Sequence, residues 1–153
     1  MNMSRFTEGM RSSNTNEWAT PRDLFDELDS EFNFDVDVAS TDENALCEKH
    51  YTKEQDGLKQ PWSGNVWCNP PYGREIVNWM RKASETDRGG VVVCLVPART
   101  DTKWWHEYVV GHASEVRFIR GRLKFGGADT GAPFPSAIVI YDKRPSRYWT
   151  VRR

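Results

Sequence analysis

Residues 65–97 read NVWCNPPYGREIVNWMRKASETDRGGVVVCLVP, and this stretch decides the fold of the chain. It starts with the short extended segment NVWC, passes through a proline-rich turn and continues into an amphipathic helix that carries Ile76, Met80 and Ala83 at helical spacing. It ends in GVVVCLVP (90–97), a continuously apolar run typical of a central strand that is covered on both faces. The succession of strand, helix and strand predicts neighbouring strands of a mostly parallel sheet.

Two further elements are predicted upstream. The segment TPRD (20–23) indicates a helix start, with Thr20 as N-cap and Pro21 at the first helical position. Residues 32–38, FNFDVDV, alternate between apolar and polar side chains, which predicts a strand with one polar face. Residues 1–16 show no periodicity and are predicted to form a flexible arm.

The downstream half continues the alternation of helices and strands. Asp101 is predicted to cap another helix, and EVRFIR (115–120) and SAIVIY (136–141) are predicted strands. We therefore expect an α/β fold, with a mostly parallel sheet, an antiparallel C-terminal strand and helices on both faces, in one domain over residues 17–153. Ligands of such sheets bind outside the carboxyl ends of the strands, so the loops after residues 38, 68 and 97 are the expected site.

The composition is that of an ordinary folded protein. Hydrophobic residues make up 38% and charged residues 28% of the 153 residues. No apolar run is long enough to cross a bilayer, and the first residues lack the apolar segment of a signal peptide, so we expect no membrane contact and a location in the cytoplasm of a bacterium or of a phage-infected host. The three cysteines are widely spaced, which favours reduced thiols and no metal.

The near-neutral charge of −1 conceals an uneven distribution along the chain. Residues 1–98 contain 10 Lys and Arg against 17 Asp and Glu, whereas residues 99–153 contain 11 against 5. A basic C-terminal third is what a surface facing phosphates requires, although a merely solvated face has the same composition.

The turn NPPYG (69–73) is the most informative segment for chemistry. Consecutive prolines fix the backbone and carry no N–H, so the turn presents carbonyl oxygens without competing donors, and Asn69 adds a side-chain oxygen beside the Pro70 carbonyl. Two acceptors that take both N–H bonds of an aromatic amine localise its lone pair and make the nitrogen nucleophilic. Tyr72 offers a flat face for an extruded base. The alternative is a simple connection between a strand and a helix, with Tyr72 as a packing residue.

Several stretches together resemble the phage-type, Dam-like DNA N6-adenine methyltransferases. They are EWATPRDLFDELDSEF, FDVDVAS, DGLKQPW, VWCNPPYG, VPARTDTKWWH and FIRGRLKFGGADTGAPFPSAIVIY. The resemblance implies a Rossmann-like methyltransferase fold, S-adenosyl-L-methionine as the methyl donor and adenine in double-stranded DNA as the acceptor. It also implies that Asn69, Pro70, Pro71 and Tyr72 form the catalytic loop.

Four residues are candidates for binding the cofactor. Asp37 lies near the end of the predicted strand, where a carboxylate can bind ribose hydroxyls or an amino group, although a solvent-facing position is the alternative. The resemblance places Thr20 and Pro21 in the cofactor pocket, and it places Asp56 near the cofactor's adenine, although Asp-Gly is also an ordinary turn pair. The Gly-x-Gly loop of many methyltransferases is absent, and ASTDEN (39–44) stands in its place.

The candidate DNA-binding residues lie in the basic third. Arg120, Arg122 and Lys124 alternate with Gly121, Leu123 and Phe125 in a segment that suits phosphate contacts. Phe125 is the candidate for the second face around the base, with a core phenylalanine as the alternative. Two more cations flank the end of the central strand, Arg99 and Lys103.

The sequence therefore predicts a site-specific DNA adenine methyltransferase that acts on a flipped base. Two alternatives stay open: an amine or amide methyltransferase acting on RNA or protein, and an inactive DNA-binding module. The recognition sequence is not evident, and both a restriction-modification role and an independent role in a bacteriophage are compatible with the sequence.

Overall fold

The computed structural model describes residues 18–86, 89–146 and the backbone of 148–152. The predicted flexible arm, residues 1–16, lies outside these residues. The helices are α1 (Arg22–Phe32), α2 (Ile76–Glu85) and α3 (Lys103–Tyr108). The strands are β1 (Val36–Asp37), β2 (Val66–Cys68), β3 (Val92–Pro97), β4 (Glu115–Ile119), β5 (Ser136–Tyr141) and β6 (Tyr148–Arg152). Two short 3₁₀ turns, Gly57–Lys59 and Phe125–Gly127, lie in the connections.

The strands form one six-stranded sheet in the order β1-β2-β3-β5-β4-β6. The pairs β1 with β2, β2 with β3 and β4 with β6 are parallel, and β5 is antiparallel to both of its neighbours. Five strands therefore run in one direction and β5 alone runs in the other. This confirms the mostly parallel sheet and the reversed strand over 136–141, and it adds β6, which the sequence analysis missed.

The helices cover both faces of the sheet. Trp67 in β2 pairs with Val93, which pairs with Ile140, so these side chains share one face. Helix α1 lies on that face, because the Phe25 ring is 5.4 Å from the Trp67 ring. Tyr141 follows Ile140 and points to the other face, where its hydroxyl donates to the Tyr108 carbonyl of α3 at 2.6 Å. All residues of β3 and β5 are buried, as the apolar runs predict.

The predicted strand over residues 32–38 is wrong for most of its length. Helix α1 continues to Phe32 and ends at Asn33, which adopts the left-handed conformation with φ 52°. The alternation of Phe32 and Phe34 instead reflects an aromatic cluster, since the two rings lie 5.9 Å apart and Phe34 is 5.4 Å from Trp67. Only Val36 and Asp37 pair as a strand.

Two predicted helix caps are displaced by one residue. Pro21, with φ −59° and ψ 128°, precedes the first helical residue of α1, and no side chain of the described residues caps this end. Thr102 rather than Asp101 caps α3, with its hydroxyl accepting from the Trp105 amide at 3.4 Å. The Thr20 hydroxyl is therefore available for another partner.

Cys47, Cys68 and Cys94 are free thiols. Within residues 18–86, 89–146 and 148–152, no helix has the length and apolarity that a membrane span requires. The same residues contain no group of three or more His, Cys, Asp or Glu side chains arranged to hold a metal ion.

Candidate active site

The ends of β1 and β2 meet the 3₁₀ turn Gly57–Lys59 at the carboxyl edge of the sheet. The Val38 amide donates to the Trp67 carbonyl at 3.1 Å, which keeps these two segments of the chain together just past β1. Gly57 packs so closely that a Cβ atom built on it would lie 2.0 Å from the Val38 carbonyl oxygen. Because of these contacts, Asp56 lies beside the loop that follows β1, and the NPPYG turn leaves β2 at the same edge.

Asn69 has its carboxamide held in one orientation. Its Nδ2 donates to the Trp18 carbonyl at 2.5 Å and to the Thr20 Oγ1 at 3.0 Å. Its Oδ1 is buried and has no hydrogen-bond partner among the described residues. A buried acceptor without a partner costs about 1–3 kcal/mol, so this oxygen marks a place where a donor from outside would be bound favourably. The amide thus presents an acceptor and no donor.

Residues 18–20, which we call the N-terminal strap, lie across this turn. Besides the two contacts with Asn69, the Ala19 carbonyl accepts from the Gly126 amide at 2.9 Å. The strap therefore connects the NPPYG turn to the loop after β4. Sequence analysis interpreted Thr20 and Pro21 as a helix start and, through the resemblance, as part of the cofactor pocket, and nothing in the local pattern placed this segment against residue 69.

Tyr72 is buried beneath other aromatic rings. Its hydroxyl donates to the Leu95 carbonyl of β3 at 3.0 Å, and burial raises the pKa of this hydroxyl well above its ordinary value. The ring is 5.5 Å from Phe134 and 6.2 Å from Phe125, in edge-to-face arrangements. Trp18 packs edge-on against the same two rings, at 5.5 Å from Phe125 and 5.2 Å from Phe134. Phe134 and Trp18 are members of this cluster that the sequence did not single out.

The prolines between Asn69 and Tyr72 continue this packing, with Pro70 buried and Pro71 half-buried. Two clefts, of about 520 Å³ and 470 Å³, lie elsewhere. The first is bordered by Asn65, Gly90 and Arg144, and the second by residues such as Phe25 and Cys47. Neither cleft borders the NPPYG turn, and Tyr72 within the aromatic cluster is 5% exposed.

Asp37 is 2% exposed and organises the loop after β1. Its Oδ1 accepts from the Ala39 amide at 3.3 Å and its Oδ2 from the Leu46 amide at 3.1 Å. Burial raises the pKa of the Asp37 carboxyl above its ordinary value, against the lowering effect of these two donors. The carboxylate thus shapes the segment ASTDEN (39–44), and its direct contact with a cofactor stays a prediction.

The other cofactor candidates lie around the same edge. Asp56 is half-buried, adopts φ 55° and accepts from the Leu58 amide at 3.1 Å, so it caps the 3₁₀ turn. Thr20 contacts Asn69 as described, and the Pro21 carbonyl accepts from the Phe25 amide at 3.2 Å at the start of α1.

The predicted DNA-binding cations are exposed, and they lie at or just past the ends of β3 and β4. Arg99 follows β3, and Arg120, Arg122 and Lys124 follow β4. Because these two strands run in the same direction, their following loops lie at the same edge of the sheet as Asn69. Lys103 also has an exposed side chain, which pairs with Glu107 at 3.6 Å. Phe125, by contrast, is buried in the aromatic cluster.

The parallel strands with one reversed strand, the helices on both faces and the turn at the carboxyl edge define a Rossmann-like α/β protein. A model of the DNA N-6-adenine-methyltransferase (Dam) family matches residues 8–141. The chain therefore belongs to the Dam family.

Individual relatives agree with this family. The DNA N-6-adenine-methyltransferase of Escherichia phage T1 is 31% identical over 132 residues, which are 74% of this chain and 55% of the relative. YfdM of Escherichia coli K12, named as a candidate methyltransferase, is 33% identical over 64 residues, which are 37% of this chain and 70% of the relative. The chain spans about half the length of the phage T1 protein.

Among solved structures, a class I S-adenosylmethionine-dependent methyltransferase candidate from Listeria monocytogenes is 15% identical, with a TM-score of 0.45. The match covers 67% of this chain and 41% of that chain.

Proposed function

We propose that this protein transfers a methyl group from S-adenosyl-L-methionine to the N6 amine of an adenine in double-stranded DNA. The observation that carries the proposal is the hydrogen bonding of the Asn69 side chain. Its nitrogen donates to the strap, and its buried oxygen has no donor among the residues that the structure describes. An exocyclic amine supplies that donor, and membership in the Dam family supplies the class of substrate.

Asn69 and Pro70 act on the amine together in this proposal. The Asn69 Oδ1 accepts one N–H of the amine, and the Pro70 carbonyl accepts the other. The lone pair is then localised on the nitrogen, which would accept the methyl group that the bound donor would supply. S-adenosylhomocysteine would be the other product, and one amine proton would pass to solvent as the products leave. Most of the rate enhancement comes from positioning and from fixed dipoles in a site that excludes water.

The residues around this edge fit the proposed cofactor. Asp56 is half-buried beside the loop that Asp37 organises, and Thr20, which precedes Pro21, contacts the Asn69 side chain. When bound, the cofactor supplies an activated methyl group on a positively charged sulfur. The acidic side chains suit the hydroxyl and amino groups of such a molecule, and the positive charge also favours an acidic neighbourhood.

The aromatic cluster gives the flipped adenine its stacking surface. The rings of Tyr72 and Phe125 are perpendicular to each other in the structure. They therefore do not form two parallel faces with a gap for a base. Entry of the adenine separates Tyr72 from the rings that cover it, and stacking then offsets part of the cost of extrusion. The exposed cations Arg99, Lys103, Arg120, Arg122 and Lys124 contact the DNA backbone at the same edge.

The test measures methyl transfer from labelled S-adenosylmethionine to unmethylated duplex DNA, to RNA and to protein. We expect label in DNA alone, recovered as N6-methyladenine after digestion. Asn69→Ala should reduce transfer at least about a hundredfold, because a preorganised acceptor is lost, while calorimetry still detects cofactor binding. Label in RNA or protein instead would support the alternative acceptors. Cofactor and DNA binding without transfer by the unaltered protein would indicate an inactive module.

A further inference from the structure

We infer that Thr20, together with the Trp18 carbonyl, is a positioning residue that sets which atom of Asn69 faces the base. The inference rests on the proposed function. The resemblance places Thr20 in the cofactor pocket, whereas the structure shows its hydroxyl bonded to the Asn69 Nδ2 at 3.0 Å. Thr20 thus acts on Asn69, in addition to the cofactor contact that the resemblance implies.

The argument starts from the symmetry of a carboxamide. An asparagine amide has nearly the same shape after a half turn that exchanges its oxygen and nitrogen, so packing alone does not decide which atom faces a ligand. Hydrogen bonding decides it. Here a backbone carbonyl, which only accepts, lies 2.5 Å from one atom of the amide, and that atom must therefore be the nitrogen.

Thr20 occupies the second N–H of the same nitrogen. With both N–H groups engaged, the amide has no donor left to direct at an incoming amine, and only Oδ1 faces the site. Loss of the Thr20 hydroxyl frees one N–H and weakens the preference for this orientation. A fraction of the molecules would then present a donor to the amine, which repels its N–H groups.

The strap is held independently of Asn69. The Ala19 carbonyl accepts from Gly126, and Pro21 begins the connection to α1. The two acceptors on either side of Ala19 are the Trp18 carbonyl and the Thr20 hydroxyl. They are therefore held in place by the Ala19 hydrogen bond and by the connection to α1. This anchoring means that Asn69 adjusts to the strap rather than the reverse.

Thr20→Val and Thr20→Ser are the deciding variants, with Thr86→Val as the matched control. Thr86 is also half-buried, and its hydroxyl donates to the Lys82 carbonyl at the end of α2, away from the site. We expect Thr20→Val to lower kcat about tenfold with little change in the KM for S-adenosylmethionine, since it weakens a group that acts in the transition state. Thr20→Ser should restore most of the rate, and Thr86→Val should leave it unaltered.

A second readout does not depend on activity. The side-chain amide signals of Asn69 are assigned in the ¹⁵N-labelled full chain as those that disappear in Asn69→Ala. We expect their exchange with solvent to become about tenfold faster in Thr20→Val and to remain slow in Thr20→Ser and Thr86→Val. Unchanged exchange in Thr20→Val would overturn the inference, as would a raised KM for the cofactor with unaltered kcat.

No side-chain substitution removes the Trp18 carbonyl, so its role is tested by changing its partner, in Asn69→Asp. A carboxylate at this position places an oxygen against the carbonyl oxygen, so we expect transfer to fall at least about tenfold at neutral pH. A fully active Asn69→Asp variant would show that the strap does not select the amide. If the unaltered protein transfers no methyl group, the proposed function fails, while the amide exchange still decides whether Thr20 orients Asn69.

Discussion

At the scale of single residues, Tyr72 links the NPPYG turn to the centre of the sheet. Its hydroxyl donates to the carbonyl of Leu95, a residue of the fully buried strand β3. Tyr51 makes a similar bond from its hydroxyl to the Pro61 carbonyl, also at 3.0 Å, in the connection between β1 and β2. The two tyrosines therefore form a matched pair for separating stability from positioning.

We predict that Tyr72→Phe and Tyr51→Phe each lower the free energy of unfolding by about 1 kcal/mol, measured by urea denaturation, because each loses one hydrogen bond. Only Tyr72→Phe should also slow methyl transfer, by a few-fold, since its hydroxyl fixes the ring beside Asn69. Equal transfer rates in the two variants would contradict the positioning role of the hydroxyl.

At the scale of elements, the short strand β1 depends on its neighbours. Val36 and Asp37 pair with β2, and Asp37 also bridges to His50. The 3₁₀ turn at Gly57 packs against the Val38 carbonyl and against the Trp79 side chain of α2. Because this turn carries Asp56, its distance from β1 sets the width of the proposed cofactor site.

We predict that Gly57→Ala lowers the free energy of unfolding by about 1–3 kcal/mol and weakens S-adenosylmethionine binding, because the added methyl group pushes the turn away from β1. Gly89→Ala is the control, since no atom of the described part of the chain lies within 4 Å of its added Cβ, and it should change stability by less than about 0.5 kcal/mol. Urea denaturation and calorimetry measure both effects. A Gly57→Ala variant as stable as Gly89→Ala would refute the tight contact.

At the scale of the whole molecule, an ionic network links helix α1 to β4, a strand in the half of the sheet that is distant from β1. Arg117 in β4 donates two hydrogen bonds to Glu31 of α1, at 2.7 and 2.6 Å, and another to Glu115 at 2.5 Å. Arg144, beyond β5, contacts both Glu115, at 3.1 Å, and Asp142, at 2.9 Å. Burial acts to raise the pKa of Glu115, but the bonds from Arg117 and Arg144 outweigh it, and the pKa lies below its ordinary value.

A lowered pKa in the folded state gives the sign of the pH effect. The ionised Glu115 stabilises the fold above the ordinary value of 4.5, and this contribution is lost as the pH falls through the lower folded-state pKa. We predict that Glu115→Gln lowers the free energy of unfolding by about 2 kcal/mol at neutral pH. The difference from the unaltered protein should shrink as the pH falls below 4.5.

Urea denaturation across this pH range measures the difference, and Glu54→Gln, at an exposed position, should stay close to the unaltered protein throughout. A difference for Glu115→Gln that is the same at every pH would show that the ionic form of the network contributes nothing.

The sequence by itself determined the elements that depend on local pattern. The apolar runs produced β3 and β5 where they were predicted, and the proline turn after β2 stands at the carboxyl edge. Periodicity and turn chemistry are properties of neighbouring residues, so they can be read without the fold. The family followed from several such segments together.

Only the tertiary structure decided how Asn69 is oriented. Its partners Trp18 and Thr20 are 51 and 49 positions away along the chain, and no local pattern connects them. The same holds for β6, which forms by pairing with β4, and for Phe34, whose apolar spacing serves an aromatic cluster and not a strand. Contacts between distant segments arise from packing of the whole sheet and its helices, and so they exist only once the chain has folded.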